Sequence, residues 1–460
     1  MPVTAARIFH ALREAIVTML AALATMFCAL ALDPEPGPAI LAIVLCVSLS
    51  RSQLDRDRRG RWEAAVTLPA VSLGALGVGL LLLHAPWLGA ALFVIAISLS
   101  IWLRRFGPLV RRAGSLIALP FVVILTTPYM PTTRVSPTTA LVLPIVVALL
   151  ALFWVTLFHV AARCLHWLSP VPVQTKDARA PVPRTSSLRP IASTRMAIQM
   201  AIALAAAFVV GYAVFADRWA WIVLTAFIVG SGNQGRLDVA YKSVLRVLGA
   251  GAGTLFALAF AGHRASDTAT VTLMLAAVFM GIWLRPLGYA WWALFVTLAL
   301  ALLQGFEGPS AGQILSLRLE EIVIGAIIGV AAAWFVLPVR STSVLRLRIA
   351  DALAALGEAL DPSNTTRQPD NFVMAMNRVE SVAPAFRASR LLARRFRTVQ
   401  PADWVDTLIR CREPAVALIE NGETPGSVRK AVGAARKAMR EPQDIQQALQ
   451  DLRRAIMAAG

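Results

Sequence analysis

Residues 235–253 read Gly-Arg-Leu-Asp-Val-Ala-Tyr-Lys-Ser-Val-Leu-Arg-Val-Leu-Gly-Ala-Gly-Ala-Gly. They join a short charged turn to an apolar, glycine-rich run that continues to about residue 262. A weaker copy occupies residues 60–83, which begin Gly-Arg-Trp-Glu and then become apolar. The tetrapeptide Ile-Trp-Leu-Arg also occurs twice, at 101–104 and at 282–285. Similar segments that recur in the same order predict a duplicated structural unit.

The composition is typical of a membrane protein. Of the 460 residues, 57% are hydrophobic and 15% are charged, whereas soluble domains carry about 25% charged residues. The apolar residues form runs of about 16–24 residues, the length that spans a bilayer. A net charge of +18 would suggest nucleic acid in a soluble protein. Here the basic residues fall in loops and in the tail, so we expect the lipid bilayer, and not nucleic acid, as the partner.

Twelve apolar runs predict twelve transmembrane helices, at 15–32, 39–49, 66–83, 88–103, 115–127, 140–161, 196–215, 219–230, 242–261, 270–284, 288–303 and 314–337. The first run also resembles a signal peptide, but its counterpart in the second half is internal and cannot be cleaved, so we expect a retained span. Six spans per half is an even number, which gives both halves the same orientation. The predicted fold is therefore all-α and polytopic, with two parallel six-helix repeats.

Arginine clusters predict the orientation and the domains. They lie at 51–61, 104–112, 163–195 and 236–246 and in everything after residue 340, so the positive-inside rule places both termini in the cytoplasm. We expect four segments: a first membrane repeat (1–162), a cytoplasmic Pro/Arg-rich linker (163–194), a second membrane repeat (195–339) and a helical cytoplasmic C-terminal domain (340–460). In the last segment, apolar residues recur at helical spacing among charges, which predicts amphipathic helices.

Motifs for catalysis and nucleotide binding are absent from the sequence. It holds no P-loop, no G-x-G-x-x-G after a strand, no H-E-x-x-H and no G-x-S-x-G, and its four cysteines show no C-x-x-C spacing. We therefore expect no enzyme activity, no cofactor and no metal site. On the same ground we do not expect transport driven by ATP hydrolysis in this chain alone. The energy would come from an ion gradient, or transport would be passive.

Charged residues inside spans are costly, so they are candidates for function. Arg318, Glu321 and Gly325 share one helix face at spacings i, i+3 and i+7. Arg318 could neutralise Glu321. Alternatively, Glu321 could carry a proton while an anion is bound to the neighbouring Arg318. Alternatively, both side chains lie at the outer interface and reach water. The sequence leaves open whether Glu320 or Glu321 faces the transport path.

Arg246, Gly249 and Gly253 repeat the same spacing in the predicted span 242–261. The glycines, like Gly325, permit close helix packing. Arg246 could receive a carboxylate through paired N–H donors, or it could anchor the helix in lipid headgroups. Aromatic residues cluster nearby, Trp221 and Trp292 among them, and form either an interfacial belt or a stacking surface for an aromatic solute.

These residues resemble a known family. The segments Arg218-Trp219-Ala220-Trp221, Arg246-x-x-Gly249 with Gly253, and Arg318-x-x-Glu321-x-x-x-Gly325 are similar to the membrane domain of the fusaric acid resistance (FUSC-like) family, which includes aromatic acid exporters. The resemblance is clearest over about residues 195–340. It implies an inner-membrane efflux protein for aromatic carboxylic acids or related toxic anions, working with a periplasmic membrane-fusion protein. The first repeat departs from the pattern, because Val71 stands where the repeat would place Arg246.

The sequence thus predicts a multi-pass secondary exporter of organic anions, with Arg246 and Arg318 attracting the carboxylate and Glu321 or Glu320 carrying the proton. Trp221 and Trp292 are the aromatic candidates. Two other functions stay open. One is a passive anion channel or oligomeric pore, and the other is a membrane scaffold that acts through residues 340–460. Homo-oligomerisation is compatible with each of the three.

Overall fold

The computed structural model describes most of the chain. The described residues are 5–52, 58–106, 114, 117, 120–121, 124–125, 137–168, 192–215, 218–261, 267–303, 311–364, 368–393, 400–423, 425–440 and 444–459. Every element within these residues is a helix, which confirms the all-α prediction. Most of the predicted linker 163–194 and most of the predicted span 115–127 lie outside the described residues.

Eleven of the described helices precede residue 337. They are α1 (Ala5–Leu32), α2 (Pro36–Ser52), α3 (Arg58–His84), α4 (Pro86–Trp102), α5 (Pro137–Cys164), α6 (Ala192–Val214), α7 (Trp219–Gly230), α8 (Arg236–Ala261), α9 (Asp267–Leu284), α10 (Tyr289–Leu303) and α11 (Ala311–Phe335). Most of them extend past the apolar run that predicted them, because helical hydrogen bonding continues where the side chains become polar.

Six of the described helices are long and apolar enough to cross a bilayer, namely Ile8–Leu32, Gly60–His84, Val142–Cys164, Ala192–Val214, Arg236–Ala259 and Thr268–Leu287. Four shorter apolar helices lie between them: Pro36–Ser50, Pro86–Trp102, Trp219–Gly230 and Tyr289–Leu302. These lengths support a multi-pass membrane protein. The number of twelve spans and the six-helix repeat stay predictions.

The chain forms two compact units. The first contains residues 1–231 and 242–337, and the second contains residues 232–241 and 338–460. In the first unit, α1 packs on α2, α5 and α9, while α6 packs on α4, α7 and α11. Arg195 and Gln199 of α6 fix the end of α11: the guanidinium donates to the carbonyl oxygen of Leu337 at 3.0 and 3.1 Å, and the amide of Gln199 donates to the carbonyl oxygen of Val336 at 2.8 Å.

The second unit has its own apolar core. Its helices after residue 340 are α12 (Ser341–Ala359), α13 (Asp370–Glu380), α14 (Ala383–Ala393), α15 (Pro401–Arg410), α16 (Arg412–Glu420), α17 (Gly426–Ala438) and α18 (Ile445–Ala459). Each presents apolar residues on one face, and these faces meet around Leu353, Phe372, Val405 and Leu452, all of which are fully buried. Ion pairs surround the core, including Arg390 with Asp403 and Asp406 at 3.0 and 2.9 Å.

Candidate functional site

The face of α11 that carries Arg318, Glu321 and Gly325 lies against α7. A Cβ atom on Gly325 would stand 2.6 Å from the carbonyl oxygen of Ile222 and 2.8 Å from Cβ of Thr225. One turn further on, a Cβ atom on Gly329 would stand 3.2 Å from a side-chain methyl group of Val229. Only glycine allows two helix backbones to approach this closely. The two helices therefore hold the charged side chains of α11 directly over the start of α7.

Both charged residues of α11 are buried against α7. Glu321 is 0% exposed, and its Oε1 lies 3.5 Å from Nε of Arg218, whose side chain is partly exposed. Arg318 is 2% exposed, with its Cζ 3.8 Å from the centroid of the Trp221 ring. A desolvated guanidinium stacked on an aromatic face gains about 2 kcal/mol or more. These positions do not fit the alternative in which Arg318 and Glu321 reach water at the interface.

A second contact of the same kind joins α8 to α10. A Cβ atom on Gly249 would stand 2.6 Å from the carbonyl oxygen of Ala290, and one on Gly253 would stand 2.5 Å from that of Leu294. Arg246 precedes these glycines on the same face of α8. It is 1% exposed, so its guanidinium lies inside the unit and not among lipid headgroups.

The guanidinium of Arg246 has unused donors. Its Nε and Nη2 atoms are buried, and no acceptor in the described part of the chain takes a hydrogen bond from them. A buried polar group without a partner costs about 1–3 kcal/mol, and more when it is charged. A carboxylate can accept two parallel N–H bonds from one guanidinium. The two buried N–H groups of Arg246 are thus available to an acceptor of this kind.

The charged residues at the contact of α11 with α7 interact electrostatically with Arg246 at the contact of α8 with α10. Arg246 lies within electrostatic range of both Arg318 and the Tyr289 hydroxyl, and Glu321 interacts with Arg218 and Arg318. These side chains together carry three positive charges and one negative charge. Two buried arginines that repel each other are stabilised by an anion between them. We define this set (Arg218, Arg246, Arg318, Glu321) as the arginine cluster.

The other predicted site residues lie in different surroundings. Glu320 is exposed, while its neighbour Glu321 is the residue that faces the cluster. Trp221 lies against the cluster through its contact with Arg318. Trp292 lies on another side of α10, where its ring is 3.4 Å from the Cβ position of Gly281 and packs beside Met26 and Ile43. The structure therefore separates the two tryptophans that the sequence placed in one aromatic group.

One member of the arginine cluster, Arg218, was not singled out by sequence reasoning. Arg218 occupies a turn of minimal length before α7, a place where an arginine normally contacts water or headgroups. Its role depends on helix pairing, and the available signal was its place in a segment that carries the family resemblance. Among the described residues, no three His, Cys, Asp or Glu side chains lie close enough together to hold a metal ion.

The fold and the cluster define a polytopic α-helical membrane protein with a buried cationic centre. Comparison with known families then gives a match: residues 200–332 fit the family described as fusaric acid resistance protein-like. This part of the chain is similar to that family, and it contains all four residues of the arginine cluster. No protein with a curated description and no solved structure matched the chain.

Proposed function

We propose that the protein is a secondary transporter that exports organic anions, aromatic carboxylic acids above all, across a bacterial inner membrane, driven by the proton gradient. The observation that carries this proposal is the buried guanidinium of Arg246. Two of its donors bond to no described residue, and it lies within electrostatic range of a second buried arginine. The family match supports a role in transport or resistance.

Each residue of the cluster has a role in this proposal. Arg246 and Arg318 bind the carboxylate, and the Trp221 ring that stacks on Arg318 provides an apolar face for an aromatic substrate. Glu321 carries the proton. Its negative charge offsets part of the positive charge of Arg218 and Arg318, so its protonation state changes the attraction of the cluster for an anion.

Other features belong to the same proposal. The chain acts without enzyme activity or a cofactor, both termini face the cytoplasm, and a periplasmic membrane-fusion protein continues the export path. A homo-oligomer is compatible with this arrangement. Supporting observations are the apolar helices of the first unit and the basic loops that the positive-inside rule assigns to the cytoplasm.

Substitution of Arg246 tests the binding role. We expect Arg246→Ala to lower the uptake of labelled benzoate into proteoliposomes roughly 10- to 100-fold, because charge-assisted hydrogen bonds contribute about 1.5–3 kcal/mol. Lys242→Ala, one turn earlier on α8, is the matched control and should stay near the wild-type rate. Equal rates in all three proteins would remove Arg246 from the mechanism.

Substitution of Glu321 tests the coupling. We expect Glu321→Gln to make benzoate flux insensitive to an imposed pH gradient, because the amide carries no exchangeable charge. Glu320→Gln, at the exposed neighbour, should keep the wild-type response. A wild-type flux that follows voltage and ignores the pH gradient would instead identify a passive anion channel. The absence of flux from a folded sample would favour the scaffold function.

A further inference from the structure

Residues 192–335 contain a repeat that is shorter than the six-helix unit. Four identical pairs have the same separation, because the second member carries a number 72 higher than the first: Trp219 and Trp291, Thr225 and Thr297, Arg246 and Arg318, Gly253 and Gly325. With this shift, α6, α7 and α8 fall on α9, α10 and α11. Arg246 and Arg318 therefore occupy equivalent positions of two three-helix repeats.

The helix contacts obey the same separation. A Cβ atom added at Gly253 would stand 2.5 Å from the carbonyl oxygen of Leu294 and 3.1 Å from Cβ of Thr297. A Cβ atom added at Gly325 would stand 2.6 Å from the carbonyl oxygen of Ile222 and 2.8 Å from Cβ of Thr225. Ile222 and Leu294 also differ by 72. The contact of α8 with α10 is thus a structural copy of the contact of α11 with α7.

The two copies run in opposite directions. Along α8, Gly249 meets Ala290 and Gly253 meets Leu294, so α8 and α10 are parallel. Along α11, Gly325 meets Ile222 and Gly329 meets Val229, so α11 and α7 are also parallel. Only residues 231–235 separate α7 from α8, and so short a connection makes these neighbours antiparallel. A repeat with an odd number of helices also reverses the orientation of the second copy in the membrane. The two copies therefore form an inverted repeat.

The repeats are interlocked, because the last helix of each packs on the middle helix of the other. The axis that exchanges them passes between the two contacts, where Arg246 and Arg318 lie within range of each other. In transporters built from inverted repeats, the substrate binds inside the bilayer at the interface between the repeats. One difference breaks the symmetry: Glu321 corresponds to Gly249, so only one half carries the carboxylate.

Thr225 and Thr297 extend the site on opposite sides of the arginines. They are 0% and 1% exposed, and neither Oγ1 atom has a hydrogen-bond partner among the described residues. Thr225 lies beside Gly325, and Thr297 lies beside Gly253. Each of these glycines follows the arginine of its helix by seven residues, or about two turns. Because the two contacts run in opposite directions, the hydroxyl groups lie on opposite sides of the arginine pair along the membrane normal.

We propose that one organic carboxylate binds between Arg246 and Arg318 at the axis of an inverted three-helix repeat, and that Thr225 and Thr297 are the equivalent hydroxyl donors on its two paths of access. This proposal rests on the proposed transport function and names the residues that line its path.

The first experiment replaces each hydroxyl by a methyl group of nearly the same size. We expect Thr225→Val and Thr297→Val each to raise the benzoate concentration for half-maximal flux about 3- to 10-fold, the effect of one lost hydrogen bond. The melting temperature should hardly change, because neither hydroxyl bonds to a described residue. Thr254→Val is the control: its hydroxyl is also buried and also lacks a partner among the described residues, but the equivalent position is Ala326.

The second experiment tests the inversion without relying on flux. Thr225→Cys and Thr297→Cys are made in the full chain, with Cys28, Cys46, Cys164 and Cys411 replaced by serine or alanine, and a membrane-impermeant thiol reagent is applied from either side. We expect Cys labelling at 225 from the side where α7 ends, and at 297 from the opposite side, with benzoate slowing both.

The outcomes separate the two proposals. Labelling of both positions from the same side would overturn the inverted repeat, whether or not the protein transports benzoate. Normal transport with unchanged half-saturation in both valine variants would overturn the role of the threonines and leave the transport function intact. Opposite labelling without benzoate flux would support the repeat and reject the transport function.

Discussion

At the scale of single residues, one methyl group decides whether α8 can lie against α10. Gly249 is in direct contact with the backbone of Ala290, whereas Gly251, two positions later on the same helix, has no atom within 4 Å of its Cβ position. The two glycines are equal in helix propensity and differ only in what faces them. Their comparison isolates the close approach from the general flexibility of glycine.

We expect Gly249→Ala to lower the stability by about 1–3 kcal/mol, because the new methyl group overlaps the Ala290 carbonyl oxygen and forces the helices apart. Gly251→Ala should be neutral or slightly stabilising, since alanine is the better helix former. The measurement is the melting temperature of each variant in detergent. A melting temperature that falls equally in both would show that backbone flexibility, and not the contact, is what glycine provides.

Sequence spacing alone indicated which residues share the important helix faces. The face of Arg246, Gly249 and Gly253 could be predicted because i, i+3 and i+7 coincide on any α-helix. The partner of each face could not be predicted, since spacing within a helix does not determine its neighbour. Arg218 and the separation of Trp221 from Trp292 depend on those neighbours.

At the scale of helices, the core of the second unit depends on a few large side chains. Phe372 of α13 is fully buried in it, and Cys411, between α15 and α16, is 1% exposed in the same cluster. Burial raises the pKa of the Cys411 thiol to about 11. The reactive thiolate is therefore scarce near pH 8 while this unit is folded, and Cys411 can report its unfolding.

We expect Phe372→Ala to destabilise the second unit by about 3–5 kcal/mol through the cavity it leaves. Alkylation of Cys411 at pH 8 should accelerate in this variant, since opening lowers the thiol pKa toward its ordinary value. As pH rises from about 9 toward 11, the free energy of unfolding of the second unit should fall, because the Cys411 thiolate forms more readily in the unfolded chain. Leu391→Ala, at a side chain that is 75% exposed, should leave the alkylation rate unchanged.

Helix positions were largely predictable from hydropathy, and helix ends were not. The apolar run 66–83 predicted a helix that the structure extends to Arg58–His84, because backbone hydrogen bonds persist beyond the apolar segment. The run 219–230 coincides with α7, Trp219–Gly230, since Gly230 and the short connection after it end the helix. An apolar run shows which residues are buried in lipid or protein. The end of a helix depends instead on where the backbone hydrogen bonds stop, which hydropathy does not show.

At the scale of the whole molecule, the second unit takes in a segment from before the last membrane helices. Residues 232–241 belong to it. The backbone N–H of Arg236 donates to the carbonyl oxygen of Val339 at 3.1 Å, and that of Leu237 donates to Oγ of Ser341 at 2.9 Å. The first turn of α8 therefore has its free N–H groups satisfied by residues that follow α11.

A chain that ends after residue 343 retains both of these acceptors and tests the scaffold alternative. We expect its benzoate flux per molecule to stay within about threefold of the full-length rate, equivalent to less than about 1 kcal/mol. A shorter chain that ends at residue 337 serves as the comparison, because it lacks both acceptors. Loss of flux from the longer truncation would show that residues 344–460 take part in transport.

The three-helix repeat could not be predicted reliably from the sequence. Its two copies share few identities, because equivalent residues face different neighbours: Glu321 pairs with Arg218, while Gly249 must remain small against Ala290. The helix contacts are more similar between the two copies than the amino-acid types at equivalent positions are. Packing geometry constrains small residues at a crossing, but many side chains are compatible with the remaining positions.

The interlocked contacts also have a consequence for biosynthesis. About 80 residues separate the end of α7 from the start of α11, and at synthesis rates of about 5–20 residues per second this distance corresponds to roughly 4–16 s. During that interval α7 is already in the membrane without the helix that covers Ile222 and Thr225. The insertion machinery or another segment must shield this surface, so the speed of translation between the two helices influences how many molecules reach the native pairing.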